Sequence, residues 1–264
     1  MGGVSIKKHR EIKGTIKTLT LKRESSGKWF AVFCTESKPE PPRANNGCKI
    51  GVDLGLNSFA AFSNGVKVDN PRHLKKYESR LAFLQKKLSG KKKGSGNRKK
   101  QKTLVARLHE KVANARRDFL HKLSHCLVAD YSLLALEKLE AMRMAGRNYG
   151  KQINDAGWAM FADMLSHKAE NAGCKVVFVD PKNTTRTCHV CGKIKGMPLS
   201  ERTYNCMHCG AISDRDINAA INILIRATAG IAGSNACEDG AIVPSMKQEA
   251  KELALGNSQK APKC

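Results

Sequence analysis

The feature that most constrains this chain is a pair of Cys-x-x-Cys knuckles, Cys188/Cys191 and Cys206/Cys209. Each pair is followed by a glycine, Gly192 and Gly210, and 14 residues lie between the pairs. Four thiolates at this spacing close a tetrahedral zinc site of the ribbon type. The glycines suit the turn that aims backbone N–H groups at the sulfurs. Metal binding there supplies about 10–16 kcal/mol of folding energy to a stretch with almost no apolar core. The bland alternative is four unrelated buried thiols. An acid-led helix follows the ribbon at once, so the ribbon reads as a rigid insert that aims Asp216.

Charge narrows the partners. The 264 residues carry 47 Lys+Arg against 23 Asp+Glu, a formal net charge of +24. That excess is beyond what solubility needs and implies a polyanion, usually nucleic acid. A ribosomal-type or merely soluble basic protein is the alternative. No run of 18 apolar residues and no signal peptide is present, so no membrane role is expected and the cytoplasm is the expected location. The six cysteines outside the knuckles (Cys34, Cys48, Cys126, Cys174, Cys237, Cys264) show no pairing logic and are expected as free thiols.

Alternating apolar and polar residues from Gly14 to Thr35, split by Ser25-Ser26-Gly27, predict a β-hairpin. We take 1–36 as this unit and 37–47 as a Pro-rich linker. Lys49 to Leu54 reads as a buried strand with a single acid, Asp53. An alternating strand and Asn64-Gly65 follow, giving three antiparallel strands. An acid inside an apolar strand is costly unless paired or metal-bound. Gly51 and Gly55 leave room beside it for a phosphate.

Helical periodicity predicts a helix over 73–88, with Leu74, Tyr77, Leu81, Leu84 and Leu88 on one face. A second, over 103–129, has Leu104, Leu108, Val112, Ala115, Phe119, Leu123 and Leu127 as its stripe. Between them lies a basic loop, Gly90 to Lys102. Lys91, Lys92, Lys93, Arg98, Lys99 and Lys100 in that loop, with Arg107, Arg116 and Arg117 on the second helix, are candidate phosphate contacts. The alternative is a solvated charged face. A buried strand over 131–136 ends at Glu137, which is either a functional strand-end acid or a solvated one. A polar loop (143–155), a helix over 158–172 capped by Gly173 and a third buried strand over 174–179 come next. The final helix runs 214–226 with Ile217, Ala220, Ile221, Leu224 and Ile225 apolar, and 228–264 reads as a disordered tail.

This order is that of a ribonuclease H-like (RuvC-like) α/β fold. It has a nuclease core over 48–183 that holds the basic helical pair (73–129), an inserted zinc ribbon (184–213) and a last helix (214–227). Asp53, Glu137 and Asp216 fall at its strand middle, strand end and helix start. Oxygen-only ligands select Mg²⁺ or Mn²⁺. Two such ions about 3.5–4 Å apart suffice for phosphodiester hydrolysis. Asp53, on the most rigid strand, would bridge them. Asp216 has a rival role in the first helical turn, but Ser213 or Asp214 is better placed as N-cap. His189 and His208, inside the knuckles, are left as loop residues because four cysteines already fill the site.

GVDLG (Gly51 to Gly55), NARRDFLHKLS (Asn114 to Ser124), ALEKLEAM (Ala135 to Met142), both knuckles and DRDINAAINIL (Asp214 to Leu224) together resemble the TnpB (OrfB) proteins of insertion sequences. These are traditionally labelled transposases and are relatives of the type V CRISPR nucleases. The resemblance runs from the Gly14 hairpin to Arg226. It implies an RNA-guided DNA endonuclease with a RuvC-like domain, a guide RNA, DNA as target and Mg²⁺-dependent cleavage. Carried onto this sequence, the catalytic triad falls on Asp53, Glu137 and Asp216, and the zinc ligands on Cys188, Cys191, Cys206 and Cys209. It also implies a longer N-terminal half, of which the hairpin is the remnant of a β-barrel. Two other readings stand beside it: a zinc-ribbon protein that binds nucleic acid without cutting, and a strand-transferring transposase, for which no Tyr or Ser nucleophile motif is seen.

Overall fold

The computed structural model describes residues 5–9, 11–37, 47–139, 150–198 and 200–229. The chain divides into two compact units, one formed by Met1–Pro41 with His73–Ala115, the other by Pro42–Arg72 with Arg116–Cys264.

In the first unit, β1 (Thr15–Arg23) and β2 (Trp29–Glu36) form an antiparallel hairpin, with a register shift between Ile16 and Thr18. The turn at Gly27 has φ 90°, which glycine adopts without strain. Its strands keep large apolar side chains in solvent, among them Leu19, Leu21 and Trp29. Helix α1 (His73–Ser89) packs Leu81 against Val105 and Leu108 of α2 (Gly96–Asp130), with Leu74, Tyr77, Leu84 and Leu88 around them. Val105 is buried where the sequence pattern chose Leu104, which is exposed.

The long basic loop is shorter than expected, because α2 starts at Gly96 rather than near 103. Ser95 provides the reason: its Oγ accepts from the Arg98 N–H at 3.2 Å, an N-terminal cap. Arg98 in turn donates to the Leu88 and Lys91 carbonyls at 2.7 and 2.8 Å, closing the end of α1. Lysine and arginine are good helix formers, so a basic run beside a capping serine extends the helix.

The second unit is built on a five-stranded mixed sheet in the order β5-β4-β3-β6-β7. Strands β3 (Lys49–Leu54), β4 (Ser58–Phe62) and β5 (Lys67–Asp69) are antiparallel. β6 (Leu133–Glu137) and β7 (Lys175–Val179) continue parallel to β3. The two faces follow from the period of two along a strand. Ile50, Val52, Leu134 and Leu136 face a core shared with Phe119, Leu120, Leu127, Phe161 and Leu165 of α2 and α4 (Trp158–Ala172). Phe59 sits in that core with its ring edge-on to Phe119 and Phe161. On the opposite face, Leu133, Ala135 and Val179 pack against Ile223 and Leu224 of α5 (Arg215–Thr228). Among the described residues β7 is an edge strand with no strand paired beyond it, not a fully buried one, and Phe178 is 44% exposed.

The structure differs from the sequence pattern at three further places. The polar loop before α4 holds a short helix, α3 (Gly150–Ala156), which buries Ile153 and Ala156. It is anchored by Arg116, which donates to the Asp155 carbonyl and carboxylate at 2.7 and 2.8 Å. In α5, Ile225 is 48% exposed, while Asn218 and Asn222 are buried. Cys34, Cys126 and Cys174 are not in disulfides, but Cys48 is disulfide-bonded; spacing alone does not encode connectivity. Cys237, Cys264, the tail beyond 229 and most of the 37–47 linker lie outside the described residues.

Candidate metal centres and nucleic-acid interface

The cysteine site forms between residues 187 and 214. β8 (Thr203–Asn205) pairs with β9 (Ile212–Asp214), and Thr187 bridges to Ile194. Gly192 and Gly210 take the left-handed conformation, φ 71° and 72°, closing each knuckle with N–H bonds to the Cys188 and Cys206 carbonyls at 2.9 Å. The four sulfurs lie within 4.8 Å of one another. Cys188 and Cys206 are buried, along with Tyr204 beneath them. Backbone N–H groups of Cys209 and His208 draw the Cys206 thiol down to about 6. The Ala211 N–H favours the Cys209 thiolate, but burial and the Cys206, Cys191 and Cys188 sulfurs push it up to about 12. Such a cluster cannot hold four thiolates without a cation among them. The donor set fits a closed, structural zinc.

The three acids converge on one end of the sheet. Val52 pairs with Leu136 in the parallel register, so Asp53 and Glu137 are the next residues on adjacent strands. Asp53 follows Gly51 by two and Glu137 follows Ala135 by two, which puts both on the α5 side. Gly51 is required there: a Cβ would stand 2.0 Å from the Ala220 carbonyl. Asp216 occupies the first turn of α5, and Asp214 is the N-cap, accepting from the Asp216 and Ile217 N–H groups at 2.9 and 3.2 Å.

Burial, then the charges of Glu137 and Asp216, push Asp53 well above the ordinary carboxylate range, against the pull of Arg215 and Lys67. Burial also raises Glu137, opposed by the Thr184 hydroxyl and Arg226 and reinforced by Asp180. The structure thus brings Asp53 within electrostatic reach of both partners. It does not gather the three acids as tightly as the cysteines, the one group among the described residues whose ligand atoms all lie within 4.8 Å. Asp216 is instead engaged by Lys67, whose Nζ lies 3.1 Å from its Oδ2 and 2.6 Å from Asp214 Oδ1. A like-charged, desolvated group of carboxylates with oxygen donors alone suits a hard divalent cation.

Four residues around this site went unnoticed in the sequence. Thr184 donates to Glu137 Oε1 and sits 3.1 Å from the Pro181 carbonyl. Lys67 is the ion-pair partner just described. Asn218 and Asn222 bind the segment entering the first knuckle. Only the asparagines left a signal, as two polar residues four apart inside an apolar helix. His189 is more than a loop residue: its N–H and Nδ1 lie 3.1 and 2.9 Å from Asn218 Oδ1.

Of the candidate phosphate contacts, Lys92, Lys93, Lys99, Lys100 and Arg117 are exposed and Lys91 is half-buried. Arg98, Arg107 and Arg116 also bond the protein itself: Arg98 donates to the Leu88 and Lys91 carbonyls, the exposed Arg107 donates through Nε to the Ser26 carbonyl at 3.3 Å, and Arg116 pairs with Asp155. A guanidinium has five donors, so one that holds a carbonyl of its own chain keeps others for a phosphate. Among the described residues no helix is long and apolar enough to cross a membrane.

A mixed α/β sheet joined to a four-cysteine module is what the chain brings to a comparison with known proteins. Residues 32–148 match the OrfB_IS605 family model, described as "Probable transposase", and residues 158–223 match the Cas12f1-like TNB domain. A Streptomyces pristinaespiralis protein named "Putative RNA-guided DNA endonuclease" is 38% identical over 84% of this chain and 55% of its own length. InsQ of Escherichia coli (strain K12), named in the same way, is 31% identical over 96% of this chain and 66% of its own. The chain shares its fold with the protein in a cryo-EM structure of a Cas12f1–sgRNA–target DNA complex, at TM-score 0.50 and 18% identity over 78% of this chain and 55% of that one. The chain belongs to the TnpB-like (OrfB) family. It spans about half to two thirds of the length of these curated relatives.

Proposed function

We propose that the chain is a Mg²⁺- or Mn²⁺-dependent DNA endonuclease of the TnpB type with a RuvC-like catalytic centre at Asp53, Glu137 and Asp216. The observation that carries this is the placement of Asp53 and Glu137 side by side on parallel strands, facing the helix that bears Asp216. The strand order β5-β4-β3-β6-β7, three antiparallel strands followed by two parallel ones, supports the ribonuclease H-like assignment. Divalent ions bound by the three acids would supply nucleophile activation and leaving-group stabilisation for phosphodiester hydrolysis. The chain's own part is to hold Asp53 rigidly in mid-sheet and Glu137 against Thr184, and to keep Asp216 at a capped helix start. The cysteines hold a structural zinc that fixes the entry to that helix. Lys91, Lys92, Lys93, Lys99, Lys100 and Arg117 track phosphates of DNA or of a guide RNA. The hairpin belongs to a β-barrel of the longer relatives, and the protein acts on DNA in a prokaryotic cytoplasm.

The test uses the zinc-loaded 264-residue chain and labelled single-stranded DNA, with and without Mg²⁺, against Asp53→Ala. Cleavage that needs both Mg²⁺ and Asp53 is expected. Equal, metal-independent binding with no cutting by either protein would leave a zinc-ribbon binding module instead.

A further inference from the structure

The buried polar residues of α5 all point one way. Asn218 is 0% exposed and Asn222 5%, on a helix face that otherwise buries Ala219, Ala220, Ile223 and Leu224. Burying an amide without partners costs about 2–7 kcal/mol, so such residues persist where every donor is used. Here Asn222 Nδ2 donates to the Thr184 and Thr187 carbonyls at 2.9 and 2.7 Å. Asn218 Nδ2 donates to the Thr187 carbonyl at 2.8 Å, and its Oδ1 accepts from the His189 N–H. Both amides therefore grip one segment, 184–189, which contains the first zinc-knuckle cysteine, Cys188.

The front of that segment touches the acidic site. Thr184 is 1% exposed and its hydroxyl donates to Glu137 Oε1. The turn around it is tightly wound. Asn183 adopts φ 63°, and its carbonyl accepts from the Arg186 and Thr187 N–H groups at 3.0 Å and from Thr187 Oγ1 at 2.8 Å. A carboxylate that accepts a bond from a fixed hydroxyl keeps one oxygen occupied and the other free in a set direction. Outer partners of this kind orient a metal-holding ligand.

We infer that Thr184 is a positioning residue for Glu137, and that Asn218 and Asn222 tie its placement to the folded first cysteine knuckle. The cysteine module is then part of the acidic site's geometry and more than an appended binding surface. This rests on the reading of Glu137 as a metal-holding acid.

The experiment measures Mn²⁺ binding to the zinc-loaded full chain by loss of the free-ion electron paramagnetic resonance signal. It compares wild type, Asp53→Asn, Thr184→Val, Thr184→Ala and Thr184→Ser, with zinc content and melting temperature recorded for each. Removing the hydroxyl in Thr184→Val is expected to weaken the Asp53-dependent Mn²⁺ site by about 10–100-fold. Thr184→Ser is expected to restore it, and zinc content to stay at the wild-type level in all. Thr184→Ala makes the same deletion without setting a methyl against the carboxylate, and decides the matter if the valine variant does not fold. Wild-type Mn²⁺ affinity in a folded valine or alanine variant, or failure of serine to restore binding, would overturn the inference. Wild type that binds no more Mn²⁺ than Asp53→Asn would instead overturn the metal-site reading beneath it.

Discussion

Substituting Asp53 by asparagine removes a charge and leaves the shape, and its effect on stability can be worked from the site. Burial, Glu137 and Asp216 all raise the Asp53 pKa in the folded chain. A carboxyl whose pKa rises on folding favours the folded state below its unfolded value, about 3.9, and loses that contribution as pH rises through the folded value. Glu137 has the same sign. At pH 7.5, without added divalent ions, the buried Asp53 carboxyl is therefore a standing cost to folding in either protonation state. Each unit by which folding raises a carboxyl is worth about 1.4 kcal/mol, and with the amide's own partners imperfect we expect a net gain of about 1–2 kcal/mol from Asp53→Asn. For a chain of this size that is a rise in melting temperature of about 2–8 °C. The assay is scanning calorimetry on zinc-loaded protein, since a strong chelator would strip the cysteine site. The gain should fade towards pH 4, where wild type is also protonated. Mg²⁺ should stabilise wild type and not the variant. A variant that melts below wild type at pH 7.5 without Mg²⁺ would refute the reasoning, because Lys67 and Arg215 would then outweigh burial and repulsion.

Three further outcomes follow from single contacts. Gly51→Ala sets a Cβ against the Ala220 carbonyl at 2.0 Å; overpacking should cost about 1–3 kcal/mol in urea unfolding and abolish any Asp53-dependent Mn²⁺ binding, because α5 must lift from the sheet. Cys206→Ser should lose zinc under a chelator concentration that wild type survives, read by elemental analysis, because three thiolates no longer close the site. For Lys67, burial works against the ammonium, but hydrogen bonds to Asp214 and Asp216 hold its pKa above the ordinary value. That ion pairing stabilises the fold until pH rises through the raised value. The groups are part-exposed, so Lys67→Met should cost only about 1 kcal/mol by thermal melting, and Mn²⁺ should bind more tightly once Asp216 is released.

The strands and the knuckles were legible because their rules are local. Lys49–Leu54 and its acid are marked by apolar residues on both sides, and the cysteine spacing alone points to the cluster that the four sulfurs form. Asp214 and Asp216 were separable because a cap and a first-turn acid occupy different positions. Elements that depend on distant partners were not legible. Gly150–Ala156 looked like loop because its burial comes from a tertiary surface and its anchor, Arg116, lies 39 residues away. Lys67 carries no mark of its role, since its partners are 147 and 149 positions along the chain (214 − 67 and 216 − 67). Arg98 and Arg116 carry no mark of the carbonyls they hold, because composition reports a guanidinium and not its partners.

What sets the acidic site is the depth of one helix as much as the acids themselves. Along β3 and β6 the residues two before each acid are Gly51 and Ala135, and α5 turns Ala219 and Ala220 inward beside Ile223. Small residues on both surfaces let the backbone of α5 come so close that a single methyl at Gly51 would collide with it. That closeness is what lets an acid in the first turn of a helix act on an acid in a strand. A larger side chain at 51 would leave Asp53, Glu137 and Asp216 intact in sequence and separated in space. The same closeness leaves little room for the segment that enters the first cysteine knuckle, and the buried amides of Asn218 and Asn222 hold it on a path that also delivers Thr184 to Glu137. An acid triad read from sequence is therefore only as good as the small residues beneath it.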